Sequence, residues 1–419
     1  MKNNTIKDIL KLLKEKGNDP DLWYELGLLY YDNKEKDKAI ESFQKALSIN
    51  PNHIGAISYL GVTYLRISQF DNAIPLLKKA IEIEPKKMAN LNNLAAVYLK
   101  LGKPKLAIPY LKKAIELNPN DFRIIHNLGN TYFKIGELES AIFNMEKALK
   151  LNPQEPLILF DLGLVFLEKR EPDRAITLFE QAIELNPDDP DILYHLGLAY
   201  SDKGELEVAT NYYMRTLKLD PSYNIGWYNL GLDFFNKGEY EQAIKCYKNA
   251  SNVDPNYYCT YYNLGLAYEK SNQFKNAINS YKKALELQPE NADALYNIGI
   301  AYLKDNNYID AIIQFKNALK INPDDPSILN NLGTAYLFNN QSKSAIDHFK
   351  KAFDLLPTNV SIMYNLAMAY ADLDDIKSCI ENLAKVIEID PNIKTLVRKN
   401  SVFDRLKKNS KFIELMTKE

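Results

Sequence analysis

Large apolar, small and polar residues recur along this chain at a fixed interval of 34 residues, from Pro20 to about residue 393. Proline marks the interval: Pro51, Pro85, Pro119, Pro153, Pro187, Pro221, Pro255, Pro289, Pro323, Pro357 and Pro391 follow one another with no insertion or deletion. With each unit numbered 1 to 34 from Pro20, position 7 is Leu or Ile in all eleven units, from Leu26 to Leu366. Position 8 is Gly in nine, with Ala95 and Ala367 as the exceptions, and position 11 is Tyr in nine and Phe in two (Phe166, Phe234). Position 20 is Ala in ten units, followed by Cys379, and position 27 is Ala except at Thr216 and Val386. Position 24 is large throughout, for example Phe43, Met145, Tyr281 and Leu383.

Spacings of 4-7-8-11 and 20-24-27 place those residues on single helical faces, so each unit is predicted to be a pair of helices. Position 15, between them, is Gly or Asn in seven units (Gly102, Gly136, Gly204, Gly238, Asn272, Asn306, Asn340), the residues that tolerate a left-handed helix end. The recurring proline stops the second helix, because it cannot continue the hydrogen-bond ladder. Pro75 and Pro109, both at position 22, are candidates to bend two of the second helices.

One unit offers about ten apolar side chains at ~2 kcal/mol each, against ~1–2 kcal/mol of backbone entropy per ordered residue. A lone unit therefore fails, and stacked neighbours must supply the missing burial. The ends then need caps. Ile6, Ile9, Leu10, Leu12 and Leu13 predict an N-terminal capping helix within residues 1–19, ahead of the eleven units in 20–393. Val402, Phe403, Leu406, Phe412, Ile413, Leu415 and Met416 predict one or two capping helices within 394–419.

A large residue at 4, Leu-Gly at 7-8, Tyr at 11, Ala at 20, an aromatic at 24, Ala at 27 and Pro at 32 resemble the tetratricopeptide repeat family. The resemblance implies an all-α, right-handed superhelical solenoid of eleven helix-turn-helix repeats, with first helices lining a concave groove at positions 2, 5, 6, 9, 12 and 13. It does not extend to the carboxylate clamp of co-chaperone repeats, since position 5 never holds Lys and position 6 never holds Lys or Arg.

Position 6 reads Glu25, Tyr59, Asn93, Asn127, Asp161, His195, Asn229, Asn263, Asn297, Asn331 and Asn365. Asn forms helices poorly, so helix propensity does not explain its recurrence. A carboxamide carries one acceptor and two donors, enough to pair with both groups of a passing peptide unit. The run is similar to the asparagine ladder in the repeat domain of O-GlcNAc transferases, which implies a grip on extended polypeptide. No catalytic domain is expected beside it in this sequence, since only 26 residues follow the last unit. The plainer alternative is that Asn at this position is common in such repeats and partly satisfies neighbouring groups. Position 5 adds Tyr24, Tyr194, Tyr228, Tyr262, Tyr296 and Tyr364, with Phe160 in the same line. Tyrosine is a rigid plate with a polar tip, suited to interfaces. The candidate peptide-binding residues are thus the seven asparagines and Tyr194, Tyr228, Tyr262, Tyr296 and Tyr364. Asp161 and His195, on adjacent rungs of position 6, could form a pH-sensitive pair, the plainer reading being that both are ordinary polar groove residues.

Composition changes little in this picture. Lys plus Arg total 52 against 54 Asp plus Glu, a net charge of −2 that argues against a nucleic-acid partner. No apolar run is long enough to span a membrane, no secretory signal is evident, and three unpaired Cys indicate neither a disulfide framework nor a metal site. No cofactor and no catalytic constellation are expected, and the expected compartment is cytoplasmic. The functional expectation is a protein-interaction scaffold, not an enzyme, that holds protein or extended peptide segments in its groove, with homo-oligomerisation left open. One alternative is a structural or oligomerisation module using its outer face or ends. Another is a targeting subunit of a separately encoded enzyme, such as a glycosyltransferase.

Overall fold

The computed structural model describes residues 5–16 and 18–417, so residues 1–4 and 17 of the predicted N-terminal cap and 418–419 of the C-terminal one lie outside it. Those described residues are helical throughout their regular structure and contain no strand. The chain divides into two compact bodies, Met1–Ala209 and Thr210–Glu419. Every repeat has the same anatomy. The first helix covers positions 1–13 and the second positions 17–30, as in Pro20–Asp32 with Lys36–Ile49 and Asn224–Asn236 with Tyr240–Val253.

Three local causes set that anatomy. Position 15 adopts a left-handed backbone in all eleven repeats, including Lys34, Ser68, Arg170 and Asp374, which have φ of 64°, 61°, 61° and 57°. The turn geometry is therefore imposed by the packed helices even where Gly or Asn is missing. Position 8 lies under the position-24 side chain: a Cβ added to Gly299 would stand 2.5 Å from the Phe315 ring, and one added to Gly265 would stand 2.5 Å from Tyr281. Ala95 and Ala367, the two exceptions, face the smaller Leu111 and Leu383, so volume is exchanged within the pair. The helices that contain Pro75 and Pro109, Phe70–Ile83 and Pro104–Leu117, run through them with the same bounds as their proline-free equivalents.

Within the N-terminal body, Ile9 and Leu13 of the helix Ile6–Glu15 pack on Leu26 of the first repeat. Thr5 and Asp8 close a capping box at its start. In the C-terminal body, buried clusters run on from repeat to repeat, one joining Tyr247, Tyr281 and Ile298, the next joining Phe315, Phe349 and Leu366. Lysines of the second helices lie over the position-11 tyrosine of the following repeat, Lys248 on Tyr268 at 5.6 Å, Lys282 on Tyr302 at 5.7 Å and Lys316 on Tyr336 at 5.5 Å. After the last repeat come three short elements, Ile393–Lys399, the 3-10 turn Ser401–Leu406 and Ser410–Thr417. They bury Val397, Phe403, Leu406, Phe412 and Met416 against Met363, Ala367 and Leu383.

Candidate functional site

First helices of successive repeats lie side by side, and position 5 of one meets position 6 of the next, 35 residues on. In the C-terminal body this slot is filled five times in succession. Asn263 donates through Nδ2 to the Tyr228 hydroxyl at 2.8 Å, Asn297 to Tyr262 at 2.9 Å, and Asn331 to Tyr296 at 2.8 Å. Asn365 donates to the Asn330 side-chain carbonyl at 3.0 Å. At the end, Asn400 from the capping segment donates to Tyr364 at 2.9 Å, taking the place that a twelfth repeat would supply. The asparagine and tyrosine stripes are thus one line of clasps that ties each repeat to the next.

Clasping changes what each rung can offer. One amide N–H of Asn263, Asn297 and Asn331 is spent on a tyrosine oxygen, and Asn331 spends its second on the Ser327 carbonyl at 3.0 Å. The tyrosine O–H and the asparagine Oδ1 remain as a donor and an acceptor. Burial pushes the Tyr228, Tyr262 and Tyr296 hydroxyls above their ordinary range, reinforced by Cys259, Asp293 and Asp325 respectively and opposed by the asparagine donors. Each therefore stays protonated at neutral pH. All three are half-buried, while Tyr364 is buried. Asn229 is half-buried on the first helix of repeat seven.

The N-terminal body uses the same slot for different chemistry. His126 Nε2 meets Asp161 Oδ2 at 2.8 Å, and Asn130 donates to the same oxygen at 2.7 Å. Phe160 meets His195 edge-on at 5.0 Å, and Tyr24 meets Tyr59 edge-on at 5.9 Å. Asn127 reaches Asn92 at 3.5 Å, Asn93 is half-buried beside it, and Tyr194 is buried with its ring 4.9 Å from His195. The candidate pairing of Asp161 with His195 does not form. Side-by-side helices bring together residues 35 apart, not 34, so the partner of Asp161 is His126. His195 instead hydrogen-bonds through Nδ1 with the Asp191 carbonyl at 2.7 Å, and burial holds its pKa below the usual histidine range. Next to the His126 clasp lies a cavity of about 580 Å³, lined by Met88, Phe122 and Leu157 and rimmed by Asn92, Arg123 and Asn127.

Other chemistry is sparse. Cys246 and Cys379 are buried, which pushes both thiols up to about 12. Among the described residues no group of three His, Cys, Asp or Glu is placed to hold a metal ion, and no helix is long and apolar enough to cross a membrane. Sequence inspection missed the His126–Asp161 clasp and Asn400. A search at a step of 35 would have found the first, whereas Asn400 lies one residue off the lattice.

Family models described as tetratricopeptide or TPR repeats match residues 20–53, 60–87, 91–121, 110–143, 129–169, 172–204 and 190–223. They continue over 231–272, 270–306, 292–325, 315–347 and 360–393. No curated protein matches the chain. Among solved structures it is similar to MamA, at 28% identity over 39% of this chain and 95% of that one, with a TM-score of 0.37. It is similar to YrrB, described as a TPR protein with an unusual peptide-binding site, at 25% identity over 44% and 95% of the two chains, with a TM-score of 0.42. It is also similar to yeast Tom70, at 19% identity over 92% and 98%, with a TM-score of 0.35.

Proposed function

The chain belongs to the tetratricopeptide repeat family, whose members mediate protein–protein interactions, and we propose that it is a scaffold that holds extended polypeptide along the clasp line of repeats seven to eleven. The observation that carries this is the regular succession of half-buried Tyr–Asn pairs, each with one donor and one acceptor to spare. Such rungs recognise peptide groups rather than side chains, as the resemblance to the O-GlcNAc transferase ladder suggests, and each bond contributes a net ~1 kcal/mol. Asn229, Asn365 and Tyr364 extend the line within the C-terminal body with partners already engaged or with less exposure, whereas Asn93, Asn127 and Tyr194 belong to the N-terminal body.

The test is selection from a random peptide display library on the full chain, followed by affinity measurement with the Asn263→Ala, Asn297→Ala, Asn331→Ala variant at unchanged helical content. Loss of three rungs is expected to weaken selected peptides by roughly a hundredfold. Undiminished binding would exclude the clasp line and favour the outer face or the ends, as expected of a structural or oligomerisation module.

A further inference from the structure

The clasp line has a period, and a ligand that uses it must share that period. Tyr228, Tyr262 and Tyr296 hold the same position on successive first helices, so each presents one plate and one hydroxyl along the line. An extended strand turns successive side chains to opposite faces, so only alternate residues can meet the line. A polyproline II helix has three residues per turn at ~3.1 Å each, so it brings every third residue, ~9.3 Å on, back to one face.

The donors point the same way. Each clasp has already consumed an asparagine N–H, and the tyrosine O–H that remains seeks a carbonyl. Polyproline II backbone carbonyls are all solvent-directed and unused, and proline has no N–H that would need a partner. The plates are doubled at repeats seven and eight, where Tyr257 meets Tyr228 edge-on at 5.3 Å and Tyr258 lies nearly parallel to Tyr262 at 5.8 Å. Aromatic walls of this kind accept proline rings, and a preformed helix loses little entropy on docking.

Charge adds a preference. Asp293 is exposed and forms no ion pair among the described residues, and its field reaches Tyr258 and Tyr262. Asp325 acts likewise on Tyr296, and Asp254 on Tyr257. Glu269, by contrast, is neutralised by Lys304 at 2.7 Å. Asp325 and Asp254 also accept backbone N–H bonds, so Asp293 is the carboxylate beside the plates that best complements a cation.

We propose that the polypeptide held by repeats seven to nine is a proline-rich segment in polyproline II conformation with a Lys or Arg beside its prolines. This rests on the reading of the clasp line as a polypeptide site and specifies its ligand. Three fluorescent probes test it on the full chain by anisotropy titration: a peptide of Ala-Pro-Pro triplets flanked by Lys, the same triplets flanked by Glu, and a Thr-Val repeat flanked by Lys. The Lys-flanked triplets are expected to bind best, at least about tenfold tighter than the Thr-Val peptide. Tyr262→Ala should weaken them about tenfold and Asp293→Asn by a few-fold, while Asp293→Asn removes only an exposed carboxylate and leaves the fold intact. The polyproline proposal is overturned if the Thr-Val peptide binds as well as the triplets, or if neither variant has any effect. It is also overturned if only display-selected peptides without proline bind, an outcome that leaves the polypeptide site standing. Failure of probes and selected peptides alike overturns both.

Discussion

The two bodies share scaffold positions almost residue for residue and differ in what fills one slot. In the C-terminal body the slot between position 5 and the next position 6 holds neutral Tyr–Asn or Asn–Asn pairs, repeated down to the capping segment. In the N-terminal body it holds one Asn–Asn pair beside a His–Asp pair, a Phe–His contact and a Tyr–Tyr contact. The lesson is that stacking needs some contact there and leaves its chemistry free. A uniform line then reads as a surface for a periodic ligand, and a varied one as local structure with cavities beside it.

Substitutions in the slot separate the two cases. The largest effect is expected from His126→Leu, which leaves the Asp161 carboxylate largely buried with Asn130 alone; local stability over residues 122–168 should fall by about 3 kcal/mol. Hydrogen exchange read by mass spectrometry measures it on the full chain. Tyr262→Phe removes one neutral bond and should cost about 1 kcal/mol locally. A loss as large as that of His126→Leu would erase the distinction drawn between the bodies. Smaller still, Arg170→Gly should raise local stability by up to ~1 kcal/mol by relieving a left-handed residue with a Cβ, whereas Asn306→Gly should change it by only a few tenths.

Titration divides the bodies as well. Burial favours the neutral His195 ring, so the folded chain holds that proton less tightly than the unfolded one. The stability it contributes is present above the usual histidine range and is lost as pH falls through it, in the N-terminal body. Tyrosines behave oppositely. Burial holds the phenol protons of Tyr257 and Tyr258 up to about 12, so their contribution is present below pH ~10 and lost as pH rises from there to about 12. Tyr24 and Tyr31 are raised too, but the tyrosine-dense C-terminal body should open first in alkali. Tyrosinate absorbance followed alongside hydrogen exchange checks the order; alkaline opening that begins in the N-terminal body would contradict it.

Helix bounds were legible because packing demands recur at the lattice step: a small residue at position 8 and a large one at 24 must coexist in each repeat. The left-handed turns at Lys34, Ser68, Arg170 and Asp374 were not legible from residue type, because stacked helices hold a backbone conformation that those side chains disfavour. The clasps were hidden for a geometric reason. Residues that repeat at 34 touch at 35, so aligned columns displayed the Asn and Tyr stripes separately and paired Asp161 with the wrong histidine. Asn400 was invisible to any periodic search, since the capping segment abandons the lattice while completing its last clasp.

The most direct measurement is a hydrogen-exchange footprint of the full chain with and without a display-selected peptide. Protection concentrated on the first helices Asn224–Asn236, Tyr258–Lys270 and Ala292–Lys304 is the expected result. Protection confined to the second helices, or to the N-terminal body, would contradict the clasp line as the polypeptide site.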